Sequence, residues 1–279
     1  MRFWKYHGLG NDFVVVNGVS EDVEIDPAWC RRICDRHFGI GADGVLYVLD
    51  GENGCDATMR VINSDGSEPE MCGNGIRCVA KFARDTGLVR KDIFKVWTGA
   101  GAKSVSVSRG SDGNVKTATV NMGAPVLEGR EIPIDHDGKF VDQPFECEGV
   151  KFTATAVSMG NPHFITFDGI GEENIRKLGP ALERHPFFPN RTNVEFASMR
   201  DGKIYLDVYE RGAGWTLACG TGACAAAVAA VLNGYVSGGA PVEVRLPGGW
   251  LTVKTERDLE CVYMEGPAAL VAYGEIFVE

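Results

Sequence analysis

Two cysteines in this chain stand in the same local setting. The stretch Glu210-Arg211-Gly-Ala-Gly-Trp-Thr-Leu-Ala-Cys219-Gly220-Thr221-Gly222 passes through a glycine-rich turn into 223–232, a run so rich in Ala and Val that it reads as a buried helix. Cys219 therefore falls at a helix start, where unpaired N–H groups and a partial positive charge favour a thiolate and can also hold a carboxylate. An earlier stretch repeats the device: Asn63-Ser-Asp-Gly-Ser-Glu-Pro-Glu-Met-Cys72-Gly73-Asn74-Gly75 leads into another helical pattern. Cys219 follows Cys72 by 147 positions, and Glu210 follows Asn63 by the same 147. Gly10-Asn11-Asp-Phe13 is echoed by Gly160-Asn161-Pro-His163-Phe164, with Asn161 following Asn11 by 150.

A thiolate on one side of a small molecule and a thiol on the other can take a proton from carbon and return one to the opposite face, inverting the centre. That is two-base racemase or epimerase chemistry. A free thiol of pKa about 8.5 is only slightly ionised at neutral pH, so a helix start and a nearby proton carrier must help; His163 and Glu210 are the candidates. The carbanion formed beside a carboxylate is the costly species. N–H groups around Gly73 and Asn74, and around Gly220 and Thr221, would stabilise it, so no electron-sink cofactor and no metal is expected. Asn11, Asn63, Asn161, Asn193 and Arg211 form a polar set able to recognise the rest of a zwitterion, the guanidinium through its carboxylate and the amide oxygens through its ammonium.

Each residue alone has a plainer reading. Either cysteine is a small buried hydrophobe, His163 a satisfied turn histidine, Glu210-Arg211 a surface ion pair, and Asn193 a loop residue of Asn-Arg-Thr-Asn. The occurrence of two cysteines in one repeated pattern is what favours chemistry. Three other readings stay open: a racemase of another amino acid, a non-catalytic amino-acid-binding protein, and a thiol redox sensor.

The elements that must position these residues follow from the hydrophobic pattern. The repeat at half the chain length implies two similar domains related by a pseudo-two-fold axis, which would bring the cysteines face to face across one cleft. Short strands are expected at 3–6, 13–16, 45–49, 57–62, 104–108, 115–120, 152–157, 164–167, 194–198, 204–209, 242–245, 250–254, 261–265 and 270–277. Asp26 and Pro27 open a helix expected to run to His37, a second begins at Asn174 and breaks at Gly179-Pro180, and 128–149 shows no periodicity. The fold class is α+β, each half a curved, mostly antiparallel sheet around a central apolar helix.

Composition bounds the remainder. A chain of 279 residues, 44% hydrophobic and 24% charged, has room for two medium cores. A formal net charge of −10 with no Lys/Arg cluster argues against nucleic acid as a partner. No apolar run reaches membrane-spanning length, and Met-Arg-Phe-Trp-Lys-Tyr-His lacks a signal-peptide core. Nine cysteines, an odd number without a Cys-x-x-Cys pair, suit a reducing cytoplasmic setting.

The motifs His7-Gly-Leu-Gly-Asn11-Asp-Phe13, Arg36-His-Phe-Gly-Ile-Gly-Ala-Asp43-Gly44, Asn63-Ser-Asp-Gly-Ser67, Met71-Cys-Gly-Asn-Gly-Ile-Arg-Cys78, Gly160-Asn-Pro-His163, Thr192-Asn193-Val-Glu195, Glu210-Arg-Gly212 and Ala218-Cys-Gly-Thr-Gly-Ala-Cys224 together resemble those of the diaminopimelate epimerases, over essentially the whole chain. The resemblance implies a PLP-independent isomerase that interconverts LL- and meso-2,6-diaminopimelate in lysine and cell-wall precursor synthesis. By the same resemblance Cys72 and Cys219 are the acid/base pair. Asn11, Asn63, Asn74, Asn161, Asn193, Glu210 and Arg211, with the backbones of Gly73, Gly220 and Thr221, are substrate contacts. It also implies that the last strand returns to the first domain, giving domains of 1–118 with 266–279 and of 119–265, and that the chain forms a homodimer. One position departs from the pattern: some members carry a substrate-touching Gln where this chain has Gly44.

Overall fold

A computed structural model of the chain describes residues 1–277; positions 278 and 279 of the expected returning strand lie outside the described residues. Contacts divide the chain between Asn121 and Met122 and again between Met264 and Glu265, the last segment rejoining the first unit.

In the first unit β1 (Arg2–Gly8) pairs antiparallel with β2 (Asn11–Asn17), and β2 runs parallel to β3 (Gly44–Leu49). β3 is antiparallel to β4 (Ala57–Asn63), which runs parallel to β5 (Ile93–Thr98). β5, β6 (Gly101–Arg109) and β7 (Val115–Gly123) form an antiparallel meander. Each parallel step needs a crossover, and a helix supplies it: α1 (Pro27–Cys34) between β2 and β3, α2 (Gly73–Asp85) between β4 and β5.

The second unit repeats this order. The hairpin β8 (Gln143–Cys147) and β9 (Val150–Ser158) leads to β10 (Pro162–Thr166), antiparallel to β9. β10 runs parallel to β11 (Asn193–Arg200) after α3 (Glu172–Glu183), and β11 is antiparallel to β12 (Lys203–Glu210). A two-residue β13 (Gly214–Trp215) folds back on β12. α4 (Gly220–Leu232) then crosses to β14 (Pro241–Leu246), which runs parallel to β12 and antiparallel to β15 (Gly249–Thr255). The chain leaves through β16 (Val262–Pro267) to β17 (Ala269–Glu275), antiparallel to β1. The alternation of antiparallel and parallel pairs from β1 to β6 thus recurs from β9 to β15, with the helices at matching places. The internal echo of the sequence is a repeat of connectivity, and the fold is α+β with two like halves.

An inner helix organises each core. α4 packs against β9, β10, β11, β12, β14 and β15, and it is apolar all round because strands meet it on most sides. Its alanines let those strands approach closely at interior packing density. α2 packs against β1 to β4 and β6, burying Ile76, Val79 and Phe82. It also buries a lysine, and Lys81 is paired there: its ammonium donates to Asp85 Oδ2 at 2.8 Å and to the Val115 carbonyl at 2.5 Å. The outer helices complete second layers. α1 sets Trp29, Cys30 and Cys34 against Val45, Tyr47 and Ile62, while α3 sets Leu178 and Leu182 into a phenylalanine cluster that includes Phe164, Phe188 and Phe196. Each such side chain contributes about 1.5–3 kcal/mol on burial.

Four local expectations are corrected. α1 stops at Cys34 rather than His37, because Asp35 turns extended and its carboxylate accepts from the N–H groups of His37 and Phe38 at 2.7 and 2.8 Å, a local alternative to helical bonding. α3 starts at Glu172 and runs through Gly179-Pro180 to Glu183. Pro180 forfeits one helical bond, but Leu178 and Leu182 are fully buried, and a Cβ on Gly179 would lie 2.9 Å from Trp215, so this glycine is a packing requirement and not a break. The stretch 128–149 contains β8, whose Pro144 hides the strand pattern. β5, with every second residue buried, was not anticipated at all.

Candidate active site

Each inner helix begins on a cysteine with the same geometry. Cys72 caps α2 with φ −134° and ψ 114°, and its sulfur accepts the Gly75 N–H at 3.3 Å. Cys219 caps α4 with φ −118° and ψ 108°, and its sulfur accepts the Gly222 N–H at 3.3 Å. A sulfur takes the place that a Ser or Asp oxygen ordinarily holds at a helix start, so its charge lies within reach of orphan donors. Gly73 with Asn74 and Gly220 with Thr221 supply the first N–H groups of the two helices, as the sequence suggested.

In the first unit the residues beside Cys72 form one braced network. Asn11 Oδ1 lies 4.0 Å from the Cys72 sulfur and accepts from Asn74 Nδ2 at 3.0 Å, while Asn11 Nδ2 donates to Asp43 at 2.8 Å. Asn74 Oδ1 accepts in turn from the fully buried Arg77, whose guanidinium also donates to the Gly73 carbonyl at 3.1 Å. Asn63 donates to Ser67 Oγ at 3.0 Å in the turn ahead of Cys72. Behind Asn11, Asp12 meets Lys5 at 2.5 Å and Arg36 at 2.8 Å, and Lys5 also donates to the Gly41 carbonyl. Burial alone would raise the Asp12 carboxyl, but these two cations hold it down at about 2. A Cβ on Gly44 would lie 2.8 Å from the Ile62 carbonyl, so this backbone leaves no room for a side chain here.

In the second unit Cys219 is buried, and the surroundings act against the helix start. Burial first, then the carboxylates of Glu210 and Glu195, push its thiol well above the ordinary range, outweighing the hydrogen bonds from Thr221 and Gly222. Cys219 therefore rests as a thiol, where sequence had suggested that the helix start would favour the thiolate. Glu210 closes β12 and accepts from Thr216 Oγ1 at 2.5 Å; burial raises its carboxyl, with Thr216, Cys219 and His163 opposing. Asn161 donates to Thr221 Oγ1 at 3.3 Å, and that hydroxyl lies 3.5 Å from the Cys219 sulfur. His163 is fully buried, with Nδ1 2.6 Å from Glu195 Oε1 and Nε2 3.0 Å from Asn161 Oδ1.

Asn193 is no loop residue. It opens β11, is 3% exposed, donates to the Pro162 carbonyl at 2.8 Å and accepts the Arg211 N–H at 2.9 Å. It thereby fixes the turn that carries Arg211, whose exposed guanidinium donates to the Asn190 carbonyl at 3.1 Å. Sequence reasoning passed over Glu183, Glu195 and Thr216. Glu183 accepts the Gly212 N–H at 3.1 Å and anchors the same turn. The available signal for Glu195 was a charged residue inside the strand Val194-Glu195-Phe196-Ala197, in step with Asn193 on one face.

Taken together, fold and site define a class in which two like-connected α+β units each start an inner helix on a cysteine. Solved structures share this fold at low sequence identity: a hydroxyproline epimerase from Agrobacterium vitis with bound trans-4-hydroxy-L-proline (TM-score 0.71, 17% identity, 99% of this chain and 90% of that one) and a probable proline racemase from Agrobacterium radiobacter K84 (TM-score 0.73, 15% identity, 100% and 93%). Sequence narrows the class further. The family model described as diaminopimelate epimerase matches residues 3–128 and 155–271. "Diaminopimelate epimerase 1" of Nostoc sp. is 50% identical over 285 residues, covering 99% of both chains, and the diaminopimelate epimerase of Desulfovibrio desulfuricans is 46% identical over 287 residues, covering 100% of this chain and 99% of its own. The chain belongs to the diaminopimelate epimerase family.

Proposed function

We propose that the protein is a cofactor-independent epimerase interconverting LL- and meso-2,6-diaminopimelate, with Cys72 and Cys219 working on one Cα from opposite faces. The observation that carries this reading is the duplicated cap: two helices of 13 residues, each begun by a cysteine whose sulfur accepts the same N–H at the same 3.3 Å. In this mechanism one sulfur removes the α proton as the other delivers one. Cys219, held as a thiol by burial and two carboxylates, enters as the acid. Once it has given up its proton, the Gly222 N–H and the Thr221 hydroxyl are placed to stabilise the thiolate left behind. The two thiols titrate as a coupled pair.

The developing carbanion charge spreads into the substrate carboxylate, which the N–H groups of Gly73, Asn74, Gly220 and Thr221 receive at two helix starts. Asn11, Asn63, Asn161, Asn193 and Arg211 contribute the remaining recognition, and Glu210 and His163 serve as proton carriers. No helix among the described residues is long and apolar enough to cross a membrane; we place the protein in the cytoplasm. A homodimer is also part of the proposal, supported by the exposed apolar residues Leu270, Val271 and Tyr273 of β17; sedimentation as a single chain at micromolar concentration would refute that part.

The test of function is solvent exchange. In deuterated water the wild type should invert one centre of diaminopimelate and place deuterium at that Cα. The Cys72→Ala and Cys219→Ala variants should each lose about a thousandfold or more in inversion rate. Ordinary inversion by the double variant would end the two-thiol mechanism.

A further inference from the structure

The least explained group in the second unit is the carboxylate of Glu195. It is fully buried on β11; Oε1 sits 2.6 Å from His163 Nδ1, and Oε2 has no hydrogen-bond partner. A carboxylate oxygen left bare in a core is destabilising, so a residue serving only to hold the fold would be better replaced by Gln or an apolar side chain. Its position suggests why it is present. The point where a Cβ on Gly222 would stand lies 2.7 Å from Glu195 Oε1 and 3.2 Å from the Cys219 sulfur, so carboxylate and sulfur border the same small space under the first turn of α4.

Resting on the reading of Cys219 as an acid/base sulfur, we infer that Glu195 is a positioning residue of the epimerase: its carboxylate fixes His163 by Nδ1 and, through Asn161 and Thr221, sets the orientation and the proton holding of the Cys219 thiol. The register supports this. β10 runs parallel to β11 with His163 opposite Asn193 and Ile165 opposite Glu195, which puts His163 and Glu195 on one face, a diagonal step apart. At 2.6 Å from a carboxylate oxygen, Nδ1 carries a ring proton and donates it to Glu195, and Nε2 faces the side-chain amide of Asn161, whose orientation follows from whether Nε2 carries a proton. From Nε2 the contacts run to the Asn161 amide at 3.0 Å, on to Thr221 Oγ1 at 3.3 Å, and on to the sulfur at 3.5 Å. As oriented, Asn161 Oδ1 accepts from Nε2–H and Nδ2 donates to Thr221 Oγ1, which leaves the Thr221 hydroxyl to donate to the sulfur. A flip of the amide presents Nδ2 to a bare Nε2 and Oδ1 to the Thr221 hydroxyl, which then accepts from the thiol, so the chain can reorient as the sulfur changes between thiolate and thiol.

The charge acts as well as the geometry. The ionisable groups facing this space are His163 from β10, Glu195 from β11, Glu210 from the end of β12 and Cys219 at the start of α4. Glu195 and Glu210 both oppose a negative sulfur. When Cys219 protonates the carbanion, its S–H bond breaks, a C–H bond forms and the sulfur takes the negative charge. The two carboxylates favour reprotonation of that thiolate, by the α proton of the opposite isomer in the reverse direction or by exchange with solvent before another molecule of the same isomer is turned over.

The test compares the wild type with Glu195→Gln, which keeps size and removes charge. The variant should fold, with KM within about threefold of wild type, kcat lower by about ten- to a hundredfold, and the alkaline limb of its pH profile moved to lower pH, because the thiol loses one anionic neighbour. An unmoved alkaline limb in a folded variant would overturn the inference. A second readout needs no variant: the ¹⁵N resonances of His163 in the wild type should show Nδ1 protonated from pH 6 to 9, and a bare Nδ1 in that range overturns it even if Glu195→Gln fails to fold. Absence of wild-type turnover on diaminopimelate would instead refute the function proposed above, leaving the resonance test to judge Glu195 separately.

Discussion

Replacing Gly222 by Ala tests the second site with one methyl group. The new Cβ would stand 2.7 Å from Glu195 Oε1, 3.2 Å from the Cys219 sulfur and 3.3 Å from the Cys219 Cβ. For ordinary contact the carboxylate must retreat by about 0.7 Å. It has little freedom to do so, being fully buried and bonded to His163. Alanine gains about 1 kcal/mol of helix propensity over glycine, while disturbing a buried charged hydrogen bond costs about 1–3 kcal/mol, so the variant should be less stable by roughly 1 kcal/mol. Activity should suffer more, because a shift approaching 1 Å in catalytic geometry costs about a hundredfold. Gly75→Ala is the internal control. Its Cβ meets Leu46 Cδ2 at 2.9 Å and the Cys72 sulfur only at 3.5 Å, and a leucine methyl can turn aside. The assay is deuterium incorporation at Cα, with urea denaturation for stability. Gly222→Ala should lose about a hundredfold in kcat and Gly75→Ala less than about threefold. Equal losses in the two variants, or none in Gly222→Ala, would refute the packing argument.

Three further outcomes follow from the charges and the sulfurs. Glu210→Gln removes the larger of the two carboxylate effects on the Cys219 thiol; Cys219 must hold its proton to act as an acid, so activity fails above its pKa, and this variant should fail at lower pH than wild type in a kcat profile. Asp12→Asn removes a carboxyl held at about 2 by Arg36 and Lys5. A depressed folded pKa stabilises the fold above the unfolded value of about 3.9 and ceases to do so as pH falls towards about 2, so the variant should be about 2 kcal/mol less stable at pH 7, the gap closing between about pH 5 and 2 in denaturant titrations. Oxidation that joins Cys72 to Cys219 should abolish turnover, with recovery on adding a dithiol; activity that rises on oxidation would favour a redox sensor.

Much of this site was legible because backbone rules and chemistry coincide at the two cysteines. A residue at a helix start is marked by the glycines after it and the helix pattern beyond, so Cys72 and Cys219 could be placed from sequence, and the repeated offset tied them together. What could not be read is the balance at each sulfur. The helix-start argument favours a thiolate, yet at Cys219 burial and two carboxylates reverse it, and burial belongs to tertiary packing. Glu195 was missed for the same reason: alternation marks its face, but only the pairing of β10 with β11 brings His163 to it. The misread helices failed locally. Asp35 offered its carboxylate to the following N–H groups, and Gly179-Pro180, a break by propensity, was carried through by Leu178 and Leu182 beneath it.

The most direct test of the account is a crystal structure with diaminopimelate or a close analogue bound, in which the distance from each sulfur to the reacting Cα is measured. The sulfurs of Cys72 and Cys219 should both lie within about 3.5 Å of that carbon and on opposite faces of it, the near-attack geometry for proton transfer. A ligand with only one sulfur in reach, or with both on the same face, would contradict it.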